Sequence, residues 1–253
     1  MLKAQRQEEM LDLLEKHSTM SVSLLAELLQ CTMMTVRRDI NDLEKQGLVQ
    51  KVHGGVVLNK ANEMQPSYLL RVGQNTEEKQ RIGVEAAKLV QDGKCVFFDG
   101  GTTPYYVAKN LPATLSFTAI TNSLTTAKEL CYLPNVNVIM LGGELYKTAF
   151  STNNSIAVEI ASRFRADLAF ISARAIVLPD GIFETALSLI EIKQKIVQCS
   201  NRVILLVDHT KFLDTALCLS VPLVDIDHII TDSGVQNDYL KQLDDIGISY
   251  TVV

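Results

Sequence analysis

Apolar residues recur along this chain in two rhythms, and the change between them divides it. In the front quarter they return every three or four positions, the period of an amphipathic helix. Met10, Leu11, Leu13 and Leu14 form one stripe of "QRQEEMLDLLEKH", and Ser21 or Ser23 can cap a second, short helix through "LLAELLQ". A third helix is expected from about Thr32 to Gln46, stopped by Gly47, and "LVQKVHGGVV" then reads as a small hairpin. The stretch after it has no clear period and contains Asn, Pro and Gly, so a linker is expected over 59–75, between a front domain at 1–58 and a back domain at 76–253.

In the back domain the rhythm becomes that of buried strands. After a helix through "EEKQRIGVEAAKLV" come the apolar runs "CVFF", "LSFTAI", "VNVIML", "LAFIS", "RVILLV", "HIIT" and "ISYTVV", most of them separated by helix-like segments. That alternation predicts an α/β domain with a parallel, doubly wound sheet covered on both faces.

Composition narrows the class. Hydrophobic residues at 47% and charged residues at 21% describe a globular chain rather than a disordered one. The first twenty residues lack a signal-peptide core, and no apolar run is long enough to span a bilayer, so a cytoplasmic location and no membrane partner are expected. Five scattered cysteines, at 31, 95, 131, 199 and 218, form no Cys-x-x-Cys pair and read as reduced thiols. A net charge of -5 argues against nonspecific coating of nucleic acid. Yet residues 1–60 carry eight Lys/Arg against eight Asp/Glu, so the whole acidic excess, 16 against 21, lies behind them.

On a helical wheel the third helix puts Val36, Ile40 and Leu43 on a core face. Met34, Arg38 and Asn41 point the opposite way, with Thr35 and Arg37 flanking them. A short helix, a tight turn and a second helix with a free polar face make a helix-turn-helix, whose second helix enters the major groove near its N-terminal end. Arg can bridge the two acceptors of guanine or hold a phosphate, Thr35 suits phosphate, and Met34 can touch a thymine methyl. With Met33 at the helix start, and Lys51 and His53 on a hairpin wing, these residues are the candidate contacts to double-stranded operator DNA. The alternative is a three-helix bundle in which Arg37 and Arg38 merely pair with Asp39, Asp42 or Glu44 on a solvated face.

Ligands of parallel sheets bind at the C-terminal strand ends. There this chain places Asp99-Gly100-Gly101-Thr102-Thr103, Thr121-Asn122-Ser123 and Gly142-Gly143, two of them at helix starts that favour an anion. Lys193, on the helix before "RVILLV", and Lys211, in the loop after it, could each meet a phosphate. No dinucleotide, phosphate-loop or zinc-protease motif is present, and the histidines at 17, 53, 209 and 228 lack ligand spacing, so neither cofactor nor metal is expected.

The segment "TVRRDINDLEKQGLVQKVHGG" resembles the N-terminal signature of the deoxyribose-operon repressor (DeoR) family of bacterial transcription regulators. The resemblance continues through Arg71, "EEKQRIG", "FFDGGTT", "TNS", "LGGEL" and "VDHTKF", nearly the whole chain. It implies a winged helix-turn-helix joined to an effector domain resembling sugar-phosphate isomerases. It also implies a phosphorylated sugar as effector, with Asp99 to Thr103, Thr121 to Ser123, Gly142, Gly143, Lys193 and Lys211 at matching positions. Two departures stand out. Many members read Ile-Gly-Ala-Asp-Gly where this chain has Ile171-Ser172-Ala173-Arg174-Ala175, which puts Arg174 forward as a further anion contact. Four residues before Lys193, the family's usual glutamate is Leu189.

The leading expectation is a DNA-binding regulator, a repressor of a carbohydrate-metabolism operon released by a phosphorylated sugar, with no catalytic residues. A homo-dimer or higher homo-oligomer is expected, since paired half-sites match two-fold symmetry. The alternative is a sugar-phosphate isomerase-like enzyme with an appended helical domain, using Asp99 as base and a lysine as stabiliser. It needs a second acid or base, for which Glu184 and Glu191 are the unplaced candidates. A protein-interaction module with a vestigial pocket would need an exposed apolar patch.

Overall fold

Met10 and Leu14, one turn apart on the first stripe, are fully buried against Leu25, Val36, Ile40 and Leu43. The computed structural model describes residues 3–17, 19–45, 47–58 and 68–253, and they divide into two compact units after Gly73. The first contains α1 (Lys3–His17), β1 (Thr19–Met20), α2 (Val22–Leu28), α3 (Met33–Lys45), β2 (Val49–Val52), β3 (Gly55–Leu58) and α4 (Tyr68–Gly73).

Local chemistry sets these boundaries. Of the two candidate caps for α2, Ser21 is the one used, accepting from the Leu24 amide at 3.1 Å, so the helix starts two residues ahead of the expected "LLAELLQ". Thr32 does the same for α3, accepting from the Thr35 amide at 3.2 Å. Beyond α3, Gly47 takes φ +73°, and the Leu48 amide returns to the Leu43 carbonyl at 2.9 Å, a closure that a left-handed glycine permits. The expected hairpin is β2–β3, and β1 joins it to give a three-stranded antiparallel sheet in the order β1-β3-β2. Gln46 and residues 59–67 of the expected linker lie outside the described residues, while Tyr68–Gly73 are helical.

The second unit runs α5 (Thr76–Ala87), β4 (Cys95–Phe98), α6 (Thr102–Lys109), β5 (Phe117–Thr121), α7 (Leu124–Leu130) and β6 (Val136–Met140). A hairpin follows, β7 (Leu145–Tyr146) and β8 (Ser151–Thr152), and then α8 (Ser155–Ala161), β9 (Leu168–Ile171), β10 (Ala175–Val177), β11 (Gly181–Glu184) and α9 (Leu187–Gln198). The chain ends with β12 (Val203–Leu206), β13 (Cys218–Pro222), β14 (His228–Thr231), α10 (Asn237–Ile246) and β15 (Tyr250–Val252). The seven apolar runs expected to be strands form one parallel sheet in the order β15-β14-β12-β9-β4-β5-β6. Successive residues of β4, β9 and β12 feed opposite cores, Phe97, Ile171 and Leu205 into one and Phe98, Phe170 and Leu206 into the other. Burial on both faces is why these strands read as continuous apolar runs. A small antiparallel sheet, β10-β11-β13, and the β7–β8 hairpin lie outside the elements that the apolar rhythm predicts.

The order of strands reverses between β4 and β9, because the chain first builds outward to β6 and then returns to the other side of β4. The C-terminal ends of those two strands are the switch point at which parallel sheets place their ligands. No helix among the described residues is long and apolar enough to cross a membrane.

Ile40→Ala is expected to lower the stability of the first unit by roughly 3 kcal/mol, the cost of an unfilled core position. Urea unfolding followed by helical circular dichroism checks this, and a loss below about 1 kcal/mol contradicts the packing given to α3.

Candidate functional site

Helix α3 divides its charges by partner. Asp39 is buried and its Oδ2 lies 2.5 Å from Arg6 Nε. That bond raises the Arg6 guanidinium above its ordinary value. Asp42 pairs with Lys3 Nζ at 2.7 Å, and Glu44 pairs with Lys51 on the hairpin. Hydrogen bonds from Lys3 and from Lys51 hold these two carboxyls below the usual range. The helix's carboxylates are therefore taken by cations from α1 and β2. Arg37 and Arg38 are exposed and have no hydrogen-bond or ion-pair partner among the described residues. The alternative in which Asp39, Asp42 or Glu44 absorbs these arginines is not what forms.

The other candidates lie around them. Met33, Met34 and Asn41 are exposed, and Thr35 is half-buried with its hydroxyl 3.0 Å from that of Thr32. A groove of about 550 Å³ is lined by Ser21, Ser23, Met33, Arg37, Asn41 and Lys51 among others. His53 is exposed in the hairpin turn. Lys51, a candidate DNA contact on the wing, bonds to Glu44 and so ties the hairpin to α3.

In the second unit a buried ion cluster lies at the C-terminal ends of β4 and β9. Lys193 of α9 bonds to Asp99, which follows β4; its Nζ also lies 2.6 Å from the Ser172 carbonyl, which follows β9, and 3.3 Å from Glu184 Oε1 on β11. Those three acceptors match the three donors of an ammonium. Burial pulls the lysine down, but Asp99 and then Glu184 outweigh it, so the group sits above its ordinary value and stays charged. The expectation of a lysine reaching for phosphate thus meets a different geometry, with its donors already engaged. The backbone closes tightly around the cluster: a Cβ on Gly101 would fall 1.8 Å from Ser172 Oγ.

Thr102 and Thr103 are buried in the first turn of α6. Thr121 Oγ1 donates to the Phe98 carbonyl at 2.7 Å, and Ser123 caps α7 by accepting from the Thr126 amide at 3.2 Å. Asn122 donates to Asn153 Oδ1 at 2.9 Å, while its own Oδ1 is buried without a donor among the described residues. Gly100 packs against Ser151 and Asn122, Gly142 and Gly143 follow β6, and Gly143 takes φ +121° beside Asn154. Lys211 lies half-buried in a single 3-10 turn after β12, His209–Phe212. Arg174 does not stand free, since its Nη1 is 2.7 Å from Asp214 Oδ2. Among the described residues no group of three or more His, Cys, Asp or Glu is arranged to hold a metal.

Family comparison assigns both units. Residues 6–62 match the DeoR-like helix-turn-helix domain, and residues 74–233 match the DeoR C terminal sensor domain. The chain belongs to the DeoR family of transcription regulators. DeoR-family proteins similar to it include the HTH-type transcriptional regulator GolR of Listeria innocua, 31% identical over 244 residues and 96% of each chain. The HTH-type transcriptional repressor GlcR of Bacillus subtilis is 32% identical, across 100% of this chain and 97% of that protein. The glycerol-3-phosphate regulon repressor of Escherichia coli is 29% identical across 97% of each. A solved ribose 5-phosphate isomerase from Methanocaldococcus jannaschii aligns over 55% of each chain at 17% identity with a TM-score of 0.41, a likeness too slight to speak to activity.

In this DeoR-family chain several site residues escaped the sequence reading. Asn153 and Ser151 carried no motif of their own, and Ser172 stood only within the Ile171–Ala175 departure, with no role given to it. Glu184 could not be placed from sequence, and it proves to be the second carboxylate on Lys193, while Leu189 is half-buried and Glu191 is exposed. Lys193→Met, which keeps the bulk and strands two buried carboxylates, is expected to cost the sensor domain about 3 to 5 kcal/mol. Denaturant unfolding measures it, and a loss under about 1 kcal/mol shows that the cluster carries no net charge coupling.

Proposed function

We propose that this chain is a repressor of a carbohydrate-metabolism operon that leaves its operator when a phosphorylated sugar binds the sensor domain. Residues 1–58 bind DNA, 59–75 link, and 76–253 sense; the protein is cytoplasmic, catalyses nothing, and works as a homo-dimer or higher homo-oligomer. The observation that carries the DNA half is the contrast on α3, where each carboxylate has a cation from elsewhere while Arg37 and Arg38 have none among the described residues. Two exposed guanidiniums beside Met34 and Asn41 fit base edges and phosphates at the start of a major-groove helix. Ser21, Ser23 and Lys51 line the adjoining groove, where a backbone strand would pass.

The sensing half rests on the polar loops gathered at one sheet end. Backbone amides at Gly100 and Gly101, the hydroxyls of Thr102 and Thr103, and Lys211 suit a phosphate. The buried Asn122 Oδ1 without a donor suits a sugar hydroxyl. Lys193 and Arg174, each already paired, shape the site through Asp99, Glu184 and Asp214. One relative is named for the regulon of a phosphorylated polyol, which supports the same class of effector. Because effector and operator bind different units, release follows only if the effector binds the DNA-incompetent arrangement more tightly.

Arg37→Ala and Arg38→Ala are each expected to weaken binding to an operator duplex on the order of ten-fold at fixed salt. Gel-shift titration reads this, with circular dichroism unchanged; wild-type affinity in both variants rejects the recognition helix. Thr103→Val and Lys211→Ala are expected to keep operator affinity and lose release by sugar phosphates, as scored by thermal shift and gel shift. A wild-type response in both would place the effector elsewhere.

A further inference from the structure

The chain leaves its first unit at Gly73 and enters the sensor unit at Gln74, and side chains grip it at once. The buried Lys79 donates to the Gln74 carbonyl. Asn75 takes φ +49°, a left-handed conformation that asparagine tolerates better than most residues. Its Nδ2 donates to Asp208 Oδ1 at 3.2 Å and to Thr210 Oγ1 at 3.5 Å.

Asp208 is an unusual anchor. It is completely buried, and among the described residues no cation pairs with it. Its Oδ1 accepts from Asn75, from the Thr210 amide at 3.1 Å and from the Thr210 hydroxyl, while its Oδ2 is buried without a donor among the described residues. A buried carboxylate held only by neutral donors is costly, so isolated stability is a poor reason for it. Its position supplies a better one. Asp208 follows β12 at the same sheet end as Asp99 and Ser172, since β12 pairs in parallel with β9. Its loop runs straight on to Lys211.

One threonine therefore belongs to two arrangements. Thr210 sits in the loop that carries Lys211, and it shares Asp208 with the second residue of the sensor unit. The amide and hydroxyl of Thr210 donate to the same carboxylate oxygen that accepts from Asn75. We propose that Asn75, Asp208 and Thr210 form a latch through which occupancy of the sensor site acts on the segment leading to the DNA-binding unit. Asp208 is its positioning residue. The proposal rests on the regulator reading above.

The test needs no effector. A duplex selected from a random library by the full-length wild-type chain serves as the DNA probe. Asn75→Gly keeps the left-handed backbone and deletes the amide, and Thr210→Val deletes the hydroxyl at nearly constant shape. Dissociation constants from fluorescence anisotropy are read beside thermal unfolding of the same full-length proteins. The latch requires a change of about fivefold or more in both variants, the usual scale of coupling between sites, with unfolding midpoints within about 2 °C of wild type. The double variant should change no more than the larger single effect, because both substitutions cut one connection. Affinity within twofold of wild type in either single variant overturns the latch, as does a change seen only where the midpoint has fallen. Failure of the wild-type chain to select any duplex overturns the regulator reading itself, and the latch with it.

Discussion

A charge enclosed in protein must bring its counter-charge along, because no water remains to do that job. Lys193 meets this constraint with Asp99 and Glu184, and the sensor unit is organised around the result. The three residues come from the loop after β4, from β11 and from α9, and the Ser172 carbonyl adds the loop after β9. Four segments that could diverge at the point of strand reversal are held to one another instead. The glycines beside the cluster belong to the same constraint, since a methyl group at Gly101 would occupy the place of Ser172 Oγ.

The first unit applies the same electrostatics with the opposite outcome. Its helix α3 holds Asp39 in the core with Arg6 and ties Glu44 to Lys51 of the hairpin. The first pair fixes α3 against α1, the second fixes it against the hairpin, and both cancel negative charge that would repel phosphates. The cations of that helix, Arg37, Arg38 and Lys45, have no ion-pair partner among the described residues. The acidity of the whole chain is therefore no obstacle to DNA binding, because its excess lies behind residue 60 and the front face presents cations.

The chain passes from the first unit to the sensor unit between Gly73 and Gln74. Coupling between two sites requires little free energy, typically a factor of five to about 150 in affinity. A few hydrogen bonds to a carboxylate are of that order. The residues at which the sensor unit begins, Gln74 and Asn75, are held by bonds of this size, to Lys79, Asp208 and Thr210.

Period and punctuation are local properties, and they carried much of the architecture. The change from helical spacing to buried runs separated two units, all seven parallel strands showed as apolar segments, and Gly47 and Ser21 marked helix ends by their own chemistry. The loops worth inspecting were legible as well, because parallel strands bring all their C-terminal ends to one edge of the sheet. The short antiparallel strands β10, β11 and β13 were not, since their pairing joins residues such as Glu184 and Cys218 that share no local pattern. Sequence alone left undecided which charges are already spent. Asp39 meets Arg6 across 33 positions and Lys193 meets Asp99 across 94, and no period reports such a meeting. An exposed arginine and a neutralised one look alike in a sequence, and only the folded chain, by placing or withholding a carboxylate within about 4 Å, tells them apart.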